Sequence, residues 1–355
     1  MKRQFLPRGF SPRTVIADEL PELLEIQAII RDGDGLVDVR VVREVTCGVR
    51  RFPIYAIGLG NPARSVPAAG FFGGFHGLER IGAEVVIAYL RTLVTRLRWD
   101  RVLQQQLESV RLVFMPLVNP GGVWRRTRAN PNGVDLMRNA PVEASAKVPF
   151  MVGGQRFSAG LPWYRGVPDA AMELENQAVC QVVDEELLTR DFSIAVDCHS
   201  GFGVDDRIWF PYAHTAEPIA NLPEIYALRS IFEQAHPHHC YIFEPQSNQY
   251  LAHGDLWDYL YQRADAKPGR TFLPLTLEMG SWLWVKKNPR QLLSRQGLFN
   301  PLMAHRQHRV LRRHVPLLDF IARAACGWRG WAPADIDRAA LRSLAMALWY
   351  GELPA

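Results

Sequence analysis

The chain has 355 residues, of which 48% are hydrophobic and 22% are charged, so its composition favours a packed globular protein and excludes an intrinsically disordered one. The formal net charge of +5 is a mild excess that requires neither a nucleic acid nor an acidic membrane as a partner. We therefore expect no nucleic-acid partner. No apolar run is long enough to cross a bilayer, and the N-terminus has no signal-peptide pattern, so we expect no membrane partner either.

The five cysteines are widely spaced and form no CxxC pair. An odd number of scattered cysteines is typical of reduced thiols rather than of a disulfide framework. We therefore predict a cytoplasmic protein. The sequence leaves its oligomeric state unknown.

The first part of the chain contains both helical and strand patterns. Apolar residues at helical spacing predict a peripheral helix over 17–31. Two strands are predicted over 37–45 and 54–59, and a buried strand ends near Phe72. A glycine-rich turn, 73–79 (GGFHGLE), then leads into a long amphipathic helix.

The glycine-rich turn carries His76 and Glu79. Residues three apart on one helical turn point to the same side, so an imidazole nitrogen and a carboxylate oxygen can converge on one cation. This pair is half of a catalytic zinc site. The remaining ligand must come from elsewhere in the chain.

The rest of the chain continues the alternation of strands and helices. A strand over 110–116 is followed by a long irregular segment that reaches about residue 166. An apolar strand over 194–199 ends in His199, and another over 273–277 is followed by Glu278. Polar side chains at the carboxyl ends of strands are where open α/β sheets place their sites.

The alternation predicts one α/β domain over 1–355, with a C-terminal helical extension over about 301–355. His199 completes a set of two histidines and one glutamate, which binds one Zn²⁺ and leaves a coordination position open. A second run, 236–240 (HPHHC), is a metal site by composition. Adjacent histidines in an extended segment point to opposite faces, which argues against that second site.

In this order, the motifs resemble the zinc carboxypeptidase family, the carboxypeptidase A-like metallopeptidases. The His-x-x-Glu of 76–79, the pair His199-Ser200 at a strand end and the later Glu278 match the family pattern. Further similarity lies in 48–55 (GVRRFPIY), 119–128 (NPGGVWRRTR), 133–139 (GVDLMRN) and 250–254 (YLAHG). The resemblance implies an α/β fold with three layers, α/β/α, around a mixed, mostly parallel twisted sheet of about eight strands.

The resemblance also implies catalytic roles. Glu278 would be the general base that takes a proton from the attacking water, and Arg125 would stabilise the developing oxyanion. Asp135 would hold the non-ligating nitrogen of His76.

Three further residues would bind the substrate by the same resemblance. Arg138 would hold a terminal carboxylate, Tyr250 would close over the bound chain, and Trp257 would shape the specificity pocket. Met137 stands where the family usually has an asparagine that helps to hold that carboxylate, and a thioether cannot donate the hydrogen bond. Leu78 likewise replaces an arginine of the pancreatic-type members.

The implied function is that of a zinc-dependent metallocarboxypeptidase, which hydrolyses a C-terminal amide bond in a peptide or amide substrate with a free carboxylate. Two alternatives on the same fold are a deacylase of N-acyl amino acids, similar to the aspartoacylase branch, and an amidase of cell-wall peptides. A third alternative is a catalytically inactive metal-binding interaction module. The presence of Glu278 argues against this last one, because a purely structural zinc site needs no base.

Overall fold

A computed structural model of the chain describes residues 20–267 and 269–351. The strands are β1 (Asp38–Cys47), β2 (Arg50–Gly60), β3 (Ala68–Gly73), β4 (Arg111–Met115), β5 (Phe192–Ser200), β6 (Arg207–Phe210), β7 (Ile242–Pro245) and β8 (Thr271–Met279). The helices are α1 (Pro21–Asp32), α2 (Arg80–Arg96), α3 (Arg101–Leu107), α4 (Pro120–Arg125), α5 (Leu174–Glu186), α6 (Leu222–Ala235), α7 (Leu256–Asp265), α8 (Trp282–Lys287), α9 (Ala304–Cys326) and α10 (Asp335–Trp349).

The strands form one eight-stranded sheet in the order β1-β2-β4-β3-β5-β8-β6-β7. Its centre, β4-β3-β5-β8, is parallel, whereas β1, β2 and β6 join it by antiparallel pairing. The mixed α/β sheet of about eight strands that the sequence predicts is confirmed. Both β3 and β5 are buried along their whole length, which explains their continuous apolar sequences.

Helices cover both faces of the sheet. Alternate strand residues enter two separate hydrophobic clusters, as Phe71 and Phe72 of β3 show. The cluster that contains Phe71 also includes residues of α1, α2, α6, α9 and α10. The cluster that contains Phe72 includes residues of α5 and α7. The result is the predicted three-layer α/β/α arrangement.

The C-terminal helices pack on the same core as the rest of the sheet. Leu317 and Ile321 of α9 are buried in the cluster that α2 contributes to, and Trp349 of α10 donates a hydrogen bond from Nε1 to the carbonyl oxygen of Phe243 (2.7 Å). The single domain over 1–355 stays a prediction. The helix predicted over 17–31 is observed as α1, and residues 17–19 lie outside the described part of the chain.

Two further features bear on the sequence predictions. All five cysteines have free thiols. Across residues 20–267 and 269–351, no helix combines the length and the apolar character that crossing a membrane requires.

Candidate metal centre

The structure brings the three predicted ligands, His76, Glu79 and His199, together at the carboxyl ends of two neighbouring strands. His76 and Glu79 lie in the turn between β3 and α2, and His199 lies near the end of β5, which pairs with β3 in parallel. One potential ligand atom from each residue falls within 4.8 Å of the others, and all three residues are buried. Two imidazoles and one carboxylate are the donor set that a catalytic zinc ion uses.

Two glycines allow the chain to approach itself closely around this cluster. A Cβ on Gly82 of α2 would lie 2.1 Å from the carbonyl oxygen of Cys198, so the helix can pack directly against β5 beside His199. A Cβ on Gly77 would lie 2.0 Å from the carbonyl carbon of Gly122. A larger residue at Gly82 or Gly77 would separate the turn that carries His76 and Glu79 from β5 or from α4.

His199 is oriented by a carboxylate that the sequence analysis missed. Its Nε2 lies 2.6 Å from Oδ2 of Asp197, and its Nδ1 lies 3.1 Å from Oε2 of Glu79. Asp197 thereby fixes the tautomer that leaves Nδ1 facing the cluster. Burial lowers the pKa of His199, but the carboxylates of Asp197 and Glu79 together outweigh it and raise that pKa well above its ordinary value.

Arg128 is the cationic group that contacts the cluster. Its Nη1 donates to Oε1 of Glu79 (3.0 Å), and its Nη2 donates to Nε2 of His76 (2.8 Å). On its other side, Nε donates to Oδ2 of Asp135 (2.8 Å). A guanidinium held against two of the three candidate ligands shows that the cluster attracts positive charge.

His76 can offer a ring nitrogen to a metal ion. The predicted hydrogen bond between Asp135 and the other ring nitrogen of His76 is not formed. Its Nδ1 is buried and has no hydrogen-bond partner among the described residues. The nearest carboxylate oxygen, Oδ1 of Asp135, is 3.8 Å away, too far for a hydrogen bond. Asp135 instead accepts from Arg128 and from the backbone N–H of Met137 (3.0 Å).

Glu278 lies beside the cluster without belonging to it. It is the register partner of His199 across β5 and β8, and its Oε1 accepts a hydrogen bond from the backbone N–H of Phe202 (3.0 Å). Burial and the nearby Glu79 carboxylate raise the pKa of Glu278 to about 8. A cation bound at the cluster would lower that pKa by electrostatic attraction.

Arg138 and Tyr250 are neighbours in the structure. Nη2 of Arg138 lies 3.4 Å from the hydroxyl oxygen of Tyr250, and the guanidinium carbon is 5.9 Å from the centre of the tyrosine ring. Two backbone carbonyls, those of Met137 (2.9 Å) and Val152 (3.1 Å), hold the rest of the guanidinium. The two residues predicted to bind substrate therefore lie together.

Comparison with known proteins agrees with this geometry. The sequence model of the family described as zinc carboxypeptidase matches residues 48–282, a span that contains every residue of the candidate site. The chain belongs to the zinc carboxypeptidase family.

The individual members of the zinc carboxypeptidase family that match this chain are distant from it in sequence. The chain is 32% identical to carboxypeptidase SOL1 of Arabidopsis thaliana over 96 residues, which cover 26% of this chain and 20% of that protein. It is 22% identical to carboxypeptidase D of Anas platyrhynchos over 180 residues, 48% of this chain and 11% of that protein. The chain thus spans only a small part of the length of these relatives.

A solved structure shares the fold. The crystal structure of thrombin activatable fibrinolysis inhibitor superposes with a TM-score of 0.62 at 18% sequence identity, over 85% of this chain and 72% of that chain. At this identity the likeness concerns the carboxypeptidase fold alone.

Arg125, the arginine predicted to stabilise the oxyanion, is placed differently from that prediction. Its side chain is exposed, and Nη1 donates to the carbonyl oxygen of Pro131 (2.7 Å). α4 ends at Arg125, and Arg126 follows it in the left-handed conformation (φ 56°), which reverses the chain. Within this zinc carboxypeptidase segment, Arg128 rather than Arg125 therefore contacts the ligands.

Trp257 also differs from its predicted place in a specificity pocket. Its side chain is buried, and Nε1 donates to Oδ2 of Asp197 (2.8 Å), the same oxygen that contacts His199. Trp257 therefore contacts Asp197, which in turn contacts the candidate ligand His199. This position does not support a role in lining an open pocket.

The run 236–240, the second metal candidate, does not form a ligand cluster. It lines a cavity of about 390 Å³ between α6 and α9. Within residues 20–267 and 269–351, the only group of three or more His, Cys, Asp or Glu side chains close enough to hold a metal is His76, Glu79 and His199.

Proposed function

We propose that this protein is a zinc-dependent carboxypeptidase that hydrolyses the C-terminal amide bond of a peptide substrate with a free carboxylate. The observation that carries the proposal is a buried cluster of three candidate ligands with a further acid, Glu278, beside it. A purely structural metal site would need no such additional acid.

His76, Glu79 and His199 would hold one zinc ion, which acts as a Lewis acid on the scissile carbonyl and on the attacking water when it is bound. Three protein ligands leave one position for the reactants, as in other catalytic zinc sites. Two observations on His76 fit this role: its buried Nδ1 has no hydrogen-bond partner among the described residues, and burial lowers its pKa to about 3, which keeps the imidazole neutral and able to offer a ring nitrogen to a cation.

Glu278 is the general base of the proposal. It accepts a proton from the attacking water and returns it to the nitrogen of the leaving amine. Burial raises its pKa, which makes the ionised carboxylate a stronger base than an exposed glutamate. The N–H of Phe202 holds its Oε1 in place during both transfers.

Arg128 is the residue that we assign to the oxyanion, in place of Arg125. Its two terminal nitrogens face Glu79 and His76, so they can donate hydrogen bonds to a carbonyl oxygen that gains negative charge at the same place. Asp135 holds the Nε side and keeps the guanidinium oriented. Burial lowers the pKa of Arg128, but Asp135 and Glu79 raise it overall, so the charge is permanent.

Arg138 and Tyr250 would bind the substrate carboxylate. Met137 adds no hydrogen-bond donor to them, because its side chain is a thioether and is buried in the hydrophobic cluster that contains residues of α5 and α7. Because this carboxylate site has fewer donors than the family usually provides, the deacylase and the cell-wall amidase remain alternatives. We also retain the proposal of a cytoplasmic location, which the five free thiols support.

Metal analysis of the purified protein tests the proposal. The wild-type protein should contain one zinc per chain, and His199→Ala should lose it. The matched control is His238→Ala, which removes an exposed histidine from the run 236–240 and should keep the metal. Absence of zinc from the wild type would overturn the proposal.

A substrate screen with the zinc-loaded protein then separates the alternatives. N-blocked dipeptides, N-acyl amino acids and cell-wall peptides represent the carboxypeptidase, the deacylase and the amidase. Preferred cleavage of the blocked dipeptides is the expected result. Zinc binding without hydrolysis of any of the three would favour the inactive interaction module.

A further inference from the structure

A cavity of about 720 Å³ opens beside the candidate metal centre, and the charged residues in its lining are all arginines. Arg125, Arg126, Arg128 and Arg295 all contribute to its wall. Neither an acidic nor an aromatic side chain is among the described residues that line it. We call this space the arginine cavity.

The arginine cavity adjoins the candidate metal centre, although His76, Glu79 and His199 do not themselves line it. Arg128 lines the cavity and also donates hydrogen bonds to Glu79 and His76. Leu78, which lies between those two ligands in the sequence, lines it as well. Arg138 and Tyr250 do not line it, so the cavity is separate from the proposed site of the terminal carboxylate.

Three of the guanidinium groups have no carboxylate partner among the residues that the structure describes. Arg126 and Arg295 are exposed, and within residues 20–267 and 269–351 neither forms an ion pair. The guanidinium of Arg125 donates to a backbone carbonyl, that of Pro131. Arg128 differs from these three, because Asp135 and Glu79 both pair with its guanidinium. The cavity therefore concentrates positive charge that the protein itself does not balance.

We propose that the arginine cavity binds acidic side chains of the substrate, on the N-terminal side of the bond that is cleaved. This inference rests on the proposed function, since it places the terminal carboxylate at Arg138 and the scissile bond at the metal centre. The part of the peptide that precedes the bond then extends into the cavity. Guanidinium groups match carboxylates in charge and in hydrogen-bond geometry.

Peptide carboxylates fit this cavity better than a nucleic acid does. Proteins that bind single strands without sequence preference combine basic grooves with aromatic side chains on which bases stack. The arginine cavity supplies the charge, whereas its described lining supplies no aromatic ring. Ala159, Gly160 and Leu161 contribute an uncharged part of its wall.

The test compares two peptides that share the same C-terminal dipeptide and differ only upstream, with Glu-Glu in one and Gln-Gln in the other. The zinc-loaded protein should cleave the Glu peptide with a kcat/KM about tenfold higher at low ionic strength. Because unscreened charges produce this ratio, it should fall as salt rises from about 50 mM to about 500 mM. Equal kcat/KM values for the two peptides would overturn the inference.

Paired variants locate the effect. Arg126→Gln/Arg295→Gln should bring the Glu-to-Gln ratio close to one. The control, Arg101→Gln/Arg312→Gln, lowers the net charge equally with two exposed arginines outside the cavity and should keep the wild-type ratio. A ratio that persists in the first variant, or that disappears in the control, would contradict a binding site in the arginine cavity.

Equilibrium binding distinguishes this inference from the proposed function. If neither peptide is cleaved, the proposed function fails, and fluorescence anisotropy of the labelled peptides still tests the cavity. Tighter binding of the Glu peptide by the wild type than by Arg126→Gln/Arg295→Gln would support the cavity alone. A single-stranded oligonucleotide that binds more tightly than the Glu peptide, with no difference between the two peptides, would overturn it.

Discussion

His199 and Glu278 are direct register partners on the neighbouring parallel strands β5 and β8. Partners in a sheet project to the same face, so a candidate metal ligand and the candidate base are fixed side by side by backbone pairing. Their relative position therefore depends on the central sheet and not on a flexible loop.

Asp197 should control metal affinity through His199. Asp197→Asn keeps the size of the side chain but weakens the contact with Nε2 of His199. We expect zinc affinity to fall by about 10–100-fold. Titration with a competing chelator measures this change, and Asp184→Asn, on α5 away from the centre, is the control. Unchanged zinc affinity would show that Asp197 does not act on the ligand.

Trp257 should affect stability and the metal, and not the choice of substrate side chain. Trp257→Phe removes the hydrogen bond to Asp197 while it keeps an aromatic ring in the core. The free energy of unfolding should fall by about 1–3 kcal/mol, because a buried carboxylate oxygen loses a donor. Chemical denaturation checks this value. A changed preference among C-terminal side chains would instead restore the predicted pocket role.

Arg128 and Arg125 should differ strongly in their effect on turnover. With a peptide that has no acidic residue, Arg128→Gln should lower kcat by about 10²–10³-fold, because a donor to the oxyanion is lost. Arg125→Gln should have a much smaller effect, since its guanidinium contacts Pro131 instead of the ligands. Both variants should retain zinc. The opposite order of effects would restore the role predicted for Arg125.

The fold and the ligand positions could be predicted because they follow from local patterns. Continuous apolar runs marked β3, β5 and β8, and His76 and Glu79 are three residues apart at a turn. β6 was missed, because its four residues are too short to show a periodic pattern. The contact of Asp197 with His199 could have been predicted, since these residues are two apart on β5 and therefore share a face of the sheet.

Which arginine contacts the candidate ligands, and where Trp257 lies, both depend on tertiary structure. Three arginines stand at 125, 126 and 128, and their spacing alone does not indicate which one faces the ligands. The end of α4 and the left-handed Arg126 decide this by turning Arg125 outward. The direction of Trp257 follows from how α7 packs on β8, which no short motif records.

Glu175 should make stability depend on pH. Burial raises its pKa from 4.5 to about 7, and its carboxylate accepts hydrogen bonds from Asn130 in the segment that carries Arg128. A raised pKa means that the folded state binds the proton more tightly. Its stabilising contribution is therefore complete below pH 4.5 and is lost as the pH rises through about 7.

Glu175→Gln should remove this dependence. At a pH of about 8 the variant should be more stable than the wild type by about 1–3 kcal/mol, whereas near pH 4 the two should agree. Denaturant unfolding at both values measures the difference. Glu44→Gln, an exposed residue of β1, is the control and should change stability little at either pH. A constant difference between Glu175→Gln and the wild type at all pH values would contradict the assignment.

The central claim is that Glu278 acts as a base beside a zinc ion that it does not bind, and Glu278→Gln tests it most directly. Zinc content and peptide turnover should be measured on the same preparation. We predict one zinc per chain, as in the wild type, with turnover reduced by about 10²–10⁴-fold because the amide cannot accept the proton. Loss of the metal would make Glu278 a ligand, and full activity with bound zinc would contradict its role as the base.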